Sequence, residues 1–285
     1  MSASVLIHPE ARDTLERDRE MRLVAVLARR GGLRWGTWLG VAAFSAVLLY
    51  AAITFGLLGG QFVKGLGKLG GALAMMFPPS GVEYLPVFLK SLAETIAMAF
   101  LGTLIAAALA LPVAFLAART TLPIWILQFG FRRFADSLRA LDYLIWALVF
   151  VRAIGLGPMA GILAIAVVDF GTLVKLFSEA IDNSDSKPVE GVRASGGSRL
   201  DEIIYGILPQ VVPNMISSML YMWESNTRSA TILGIVGAGG IGYYLSDRLR
   251  VYEWGQASLI IILIVTAVFA IDFISTRLRT RLISG

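Results

Sequence analysis

Long apolar runs separated by short charged stretches dominate the chain. A helix needs about 20 apolar residues to cross roughly 30 Å of hydrocarbon. Six runs meet that requirement, at about 37–59, 92–117, 138–156, 159–181, 207–224 and 256–276. The third has the shortest apolar centre, flanked by Asp142 and Arg152. Two further segments, about 60–91 and 225–255, are glycine-rich and only partly polar, as expected of chain that dips back towards a membrane. The pattern predicts an all-α membrane protein with six transmembrane helices, divided into an N-terminal segment (1–36) and a membrane domain (37–285).

Composition agrees. Only 16% of residues are charged, against about 25% in a soluble domain. Cysteine is absent, which excludes disulfides, thiolate metal sites and thiol nucleophiles. The single histidine, His8, lies in the polar N-terminal region, so no histidine-based triad operates within the membrane. The first 36 residues are too charged for a cleavable signal peptide. Within them, residues 10–30 place Leu15, Arg19, Arg22, Leu23, Val26 and Leu27 at near-helical spacing. A helix on the membrane surface is one reading, and a solvated lead-in is the other.

Charge placement sets the expected orientation. With the N-terminus in the cytoplasm, seventeen Arg and Lys fall inside and seven outside, while Lys175 sits within a span. The positive-inside rule therefore favours two cytoplasmic termini and explains the net charge of +5 without nucleic acid. In this orientation Gly237-x-Gly239-x-x-Gly242, the spacing of a dinucleotide-binding turn, falls outside the cytoplasm. A second match, Gly65-x-Gly67-x-x-Gly70, falls there too. Neither belongs to a strand–turn–helix unit, and no G-x-x-x-x-G-K-[ST] loop exists, so no nucleotide site is expected in this chain.

The richest stretch is KPVEGVRASGGSRLDEIIYGILPQVVPNM, residues 187–215. A helical run through Glu190 breaks at Gly196-Gly197, and a second begins at Ser198, a suitable cap. Leu200, Ile203, Ile204 and Ile207 follow the spacing of one helix face, with Arg199, Asp201 and Glu202 on the other side. Two short helices joined at glycines make a knob suited to docking in a groove on another protein.

Glu190-x-x-x-x-x-Gly196 followed by Leu208-Pro209 resembles the E-A-A-x-x-x-G…I-x-L-P signature of ABC-importer permeases, with Gly191, Val192 and Gly206 departing from it. Residues 77–119, VRAIGLGP (151–158), GTLVKLFSEAID (171–182) and YMWESNTRSATILGIVGAGGIG (221–242) resemble the phosphonate-type branch. The resemblance implies a type I importer permease of the inner membrane that carries phosphonate, phosphate or phosphite. It has a coupling loop (about 183–206) that rests in a separate ATPase. Glu190, Gly191, Val192, Arg193, Ala194, Ser195, Gly196, Arg199, Leu208 and Pro209 become the coupling residues, and Gly206 a soft junction with the fifth span. The implied partners are a second copy of this chain, two ATPase subunits holding ATP and magnesium, an extracytoplasmic solute-binding protein and membrane lipid. The chain itself is expected to hold no cofactor or metal and to catalyse nothing.

Polar residues inside a membrane are costly and face the bundle interior. Glu94, Asp142, Asp169, Lys175, Glu224 and Asp272 are of this kind, with Asp169 and Lys175 expected to pair with neighbouring helices. WESNTRSAT places Glu224, Asn226, Arg228, Ser229 and Thr231 together, just outside the expected fifth span, and Arg152 adds a second cation at that level. These donors suit a transient oxyanion path. Alternatively, Glu224 and Arg228 form an i, i+4 pair that steadies one helix turn. Gly237, Gly239 and Gly240 are expected at a close-packed external gate. Two rival functions are an ion-coupled transporter or channel using Glu94, Asp169 or Lys175, and a membrane-embedded enzyme. The residue inventory disfavours the enzyme.

Overall fold

The computed structural model describes Met21 and residues 35–56, 60–121 and 124–284. The segment 10–30 otherwise lies outside the described residues. The chain forms two units, Met1–Gly71 and Ala72–Gly285. The first contains helix α1 (Trp35–Thr54), whose 20 residues reach about 30 Å at 1.5 Å per residue. Helix α2 (Gly60–Met75) begins in this unit and ends just past its boundary.

The second unit contains α3 (Leu85–Ala117), α4 (Trp125–Arg139), α5 (Tyr143–Ile154), α6 (Pro158–Asp182) and α7 (Ser186–Ala194). It continues with α8 (Arg199–Val236), α9 (Ile241–Arg250) and α10 (Trp254–Ser284). No strand occurs among the described residues. Five helices, α1, α3, α6, α8 and α10, are long and apolar enough to cross a membrane. Helix α6 starts one residue before the expected fourth span and ends one after it.

Two expectations need correction. The third span, 138–156, is not one helix. Asp142 caps α5 by accepting a 3.0 Å bond from the Leu144 N–H, which separates α5 from α4. Helix α5 has 12 residues and reaches only about 18 Å. Both helices run along α6: Arg132 bonds Asp182 near its end, and Tyr143 bonds Asp169 further back. Hydropathy missed α4 because its sequence FRRFADSLR mixes apolar and charged residues at helical spacing. The fifth span does not stop near residue 224 either, since α8 continues to Val236. Glu224, Asn226, Arg228, Ser229 and Thr231 therefore lie within a helix rather than beyond its end.

Small residues decide how closely the helices approach. The buried face of α3 includes Thr95, Ala99, Gly102, Thr103, Ala106, Ala110 and Ala114. Opposite them, α6 buries Gly161, Ala164, Val168 and Gly171. A Cβ on Gly102 would lie 2.7 Å from Ile165 Cγ2 and 3.1 Å from the Ile162 carbonyl oxygen. Such contact lets backbones meet where lipid offers no competing hydrophobic gain.

Gly102→Leu should therefore push α3 from α6 and cost about 1–3 kcal/mol. A lowered thermal midpoint in detergent checks this. An unchanged midpoint would show that the two backbones are free to separate.

Candidate functional site

The knob forms where the sequence placed it. Asp185 caps α7 by accepting a 3.1 Å bond from the Lys187 N–H. At its other end Gly196 takes φ +85°, and the Gly197 N–H donates to the Val192 carbonyl at 3.1 Å. Ser198 and Asp201 then form a capping box that starts α8. Glu190, Gly191, Arg193, Ala194, Ser195, Gly196 and Arg199 are exposed, while Val192 is half-buried.

Residues Glu202–Ile207 form a π-type turn, in which the Leu208 N–H reaches the Ile203 carbonyl. Pro209 follows and has no N–H to offer the Tyr205 carbonyl, so the ordinary ladder is already interrupted here. The wider turn changes the face that sequence spacing predicted. Leu200 and Ile204 are 68% and 47% exposed, whereas Glu202, Gly206 and Ile207 are buried.

Gly206 is also the seat of α7. A Cβ there would lie 3.0 Å from the Val189 Cα. Two polar links complete the mounting. Arg193 donates to both Glu202 oxygens, at 2.8 and 3.1 Å. The Gln210 side chain accepts from the Asp185 N–H at 2.9 Å and donates to the Asp185 carbonyl at 3.1 Å. Neither Asp185 nor Gln210 was among the expected site residues; Asp185 carries the local signal of a helix cap, whereas Gln210 carries none.

The polar residues of α8 divide into different environments. Asn226 is fully buried, and its amide donates to Thr103 Oγ1 at 2.7 Å and to Asp169 Oδ2. Asp169 also accepts from Tyr143 at 2.9 Å and from Thr103 at 3.3 Å. Four helices, α3, α5, α6 and α8, thus meet at one carboxylate whose described partners are all neutral. Lys175 pairs with Glu179 on its own helix at 3.8 Å, not with a neighbour as expected. Glu224 binds Arg228 at 3.3 Å and Arg279 of α10 at 3.1 Å. The i, i+4 pair is therefore real, and sequence spacing could not disclose its second arginine. The Ser229 and Thr231 hydroxyls bond carbonyls of their own helix. Arg152 is exposed in the last turn of α5.

Gly237, Gly239 and Gly240 adopt φ of +89°, +83° and +78°, in the left-handed region that side chains resist. The segment follows helix α8, not a strand, so the dinucleotide geometry is absent. Instead, the Gly157 N–H donates to the Gly237 carbonyl at 3.0 Å, and the Ile241 N–H donates to Thr95 Oγ1 at 2.8 Å. A cavity of about 530 Å³ beside this junction is lined by Lys90, Ser91, Glu94, Gly239, Gly240 and Tyr243, among others.

Residues 110–284 match the family model described as binding-protein-dependent transport system inner membrane component. A phosphite transport system permease protein of Stutzerimonas stutzeri is 37% identical over 256 residues, covering 89% of this chain and 92% of that protein. A putative phosphite transport system permease protein of the same organism is 42% identical, covering 75% of this chain and 76% of its own length. A phosphate-import permease protein of Mycolicibacterium smegmatis is 39% identical over 75% of this chain and 40% of its own. In fold, the chain resembles one from a methionine ABC transporter solved in inward facing conformations. The TM-score is 0.63 at 20% identity, covering 71% of this chain and 99% of that one.

Asn226→Leu should remove a donor from both Asp169 and Thr103 and destabilise the chain by about 1–3 kcal/mol. Ser229→Ala, which removes only a 3.4 Å bond within α8, should change stability little. Thermal unfolding of the two variants checks the contrast, and equal midpoints would contradict it.

Proposed function

The chain belongs to the binding-protein-dependent transport system inner membrane component family, and we propose that it is the permease subunit of an ATP-driven importer for phosphonate, phosphite or phosphate. The substrate class rests on the relatives named for phosphite and phosphate transport. In this reading the inner-membrane subunit has both termini in the cytoplasm, and α4 with α5 make the sixth crossing. Two permease chains, in the simplest arrangement two copies of this one, enclose the path. A separate ATPase binds ATP and magnesium, and an extracytoplasmic binding protein delivers the solute.

The observation that carries the reading is the mounting of α7. Its Glu190-bearing surface is exposed, while Val189 packs on Gly206 and Arg193 and Gln210 fasten it to α8. A helix free on one side and fixed on the other can transmit a push. ATP binding closes the ATPases, their cleft carries α7, and α8 moves with it to open the path outward; hydrolysis resets the cycle. At the far end of α8, Gly237, Gly239 and Gly240 form a gate element where solute enters. Arg152 and Arg228 supply loose oxyanion contacts, with Arg228 half-exposed beside Glu224.

Glu190→Arg should abolish co-purification of the ATPase and lower uptake by at least about tenfold, the equivalent of about 1.4 kcal/mol of lost contact. Retention of both would refute the coupling role. Arg193→Glu should uncouple ATP hydrolysis from uptake, and adding Glu202→Arg should restore coupling. Failure of the swapped pair, with folding intact, would show that the link between α7 and α8 is not electrostatic.

A further inference from the structure

Helix α4 runs antiparallel to α6. Arg132 bonds Asp182 at the end of α6, whereas Arg139 stands further back, where a Cβ on Gly171 would lie 3.1 Å from its own Cβ. At 1.5 Å per residue, Lys175 is about 10 Å and Gly171 about 16 Å inward of Asp182. The 25 residues of α6 reach about 37 Å, about 7 Å more than the hydrocarbon is thick. Even with that whole surplus projecting on this side, Arg139 lies at hydrocarbon depth.

A cavity of about 330 Å³ between the two helices is lined by Arg133, Asp136, Arg139, Lys175 and Glu179, among others. The side chains of Arg133, Lys175 and Glu179 are 63%, 50% and 51% exposed, so the cleft opens at the surface of this unit. Charges at such a depth face water or protein rather than lipid. Asp136 holds two guanidiniums, Arg139 at 2.8 Å and Arg133 at 3.1 Å, and Lys175 approaches Glu179 at 3.8 Å. Three cations against two carboxylates leave one positive charge in excess, with Arg132 and Asp182 already paired. Each guanidinium has five N–H donors, more than a shared carboxylate can occupy.

Glu179 also lines a second cavity, of about 360 Å³ between α6 and α8, with Asn183, Gln210, Asn214 and Ser218. The two cavities therefore meet along α6. From there Asn214, Ser218, Tyr221, Ser225 and Arg228 recur along α8 at i, i+4, i+7, i+11 and i+14, and none of them is buried. This polar stripe on a spanning helix joins the basic cleft to Arg228, the oxyanion contact proposed above.

We infer that this surface lines the cytoplasmic half of the path, and that Arg133, Arg139 and Lys175 bind the transported oxyanion there before its release. The inference rests on the importer reading and adds to it an inner binding step. Guanidinium and ammonium donors suit the oxygens of phosphonate, phosphite and phosphate alike. The two carboxylates limit the excess to one charge, which keeps the hold loose enough for transit. A second chain packed directly on the cleft about a two-fold axis would oppose one cationic surface with another. Water and a passing anion between two such surfaces satisfy both.

The chain has no cysteine, so a single introduced thiol reports access without background. The test uses the assembled transporter in proteoliposomes with the ATPase outward. The binding protein and a phosphate, phosphite or methylphosphonate load are enclosed. Impermeant methanethiosulfonates added outside should label Lys175→Cys but not Leu109→Cys, which is exposed at similar depth on the apolar face of α3. Glu179→Cys keeps all three cations and should react about tenfold faster with the anionic sulfonatoethyl reagent than with the cationic trimethylammonium one. Arg133→Gln/Arg139→Gln in that background should abolish the preference, and Lys175→Gln should lower it if the double variant does not assemble. Trapping with ATP and vanadate, which closes the inner half, should protect both thiols. Failure of ATP to drive the load out of the parent vesicles would overturn the importer reading and this inference with it. ATP-driven release with Lys175→Cys unlabelled, no anionic preference, or equal labelling in the trapped state would overturn this inference alone.

Discussion

Apolar helices in hydrocarbon gain nothing by exchanging lipid for one another, so a membrane bundle is held by close backbone approach and buried hydrogen bonds. Here both converge on α6. Gly102 brings α3 against it, while the Asp169 carboxylate gathers Tyr143, Thr103 and Asn226 from three other helices. No described cation balances Asp169, so its hydrogen bonds alone offset the cost of burial. The result is a fixed mast at which four helices meet.

Moving parts would have to be added to that mast at its ends. At one end α7 rests on the π-type turn of α8, and at the other three left-handed glycines turn α8 into α9 against Thr95 and Pro158. Helix α8 therefore links the two regions of irregular backbone in this unit that carry candidate function. Pro209 and the π-type turn interrupt its ladder beside the knob, so a displacement of α7 has a defined place at which to enter the helix.

Much of this was legible because each signal was local. The apolar run of α6, the Ser198–Asp201 cap and the Gly196 break are short-range features with direct conformational meaning. What was hidden depended on partners distant in sequence. Asn226 reads as a path residue beside Arg228 until Asp169, 57 residues away, is seen to claim its amide. Gly206 reads only as a departure from the expected pattern until Val189 is seen to occupy the space a side chain would need. Helix α4 was hidden because its amphipathic sequence carries no long apolar run, so the expected third span covered α5 and only the last two residues of α4.

The coupling claim turns on whether α7 and α8 move as one body. Spin labels at Ala194→Cys on α7 and Asn214→Cys on α8, measured by double electron–electron resonance in the assembled transporter, report this directly. A rigid handle keeps the distance within a chain the same with and without ATP, while, in the proposed arrangement of two copies, the distance between their Ala194→Cys labels shifts. If the distance within a chain changes as much as the distance between chains, α7 swings on a loose tether and cannot drive the spans.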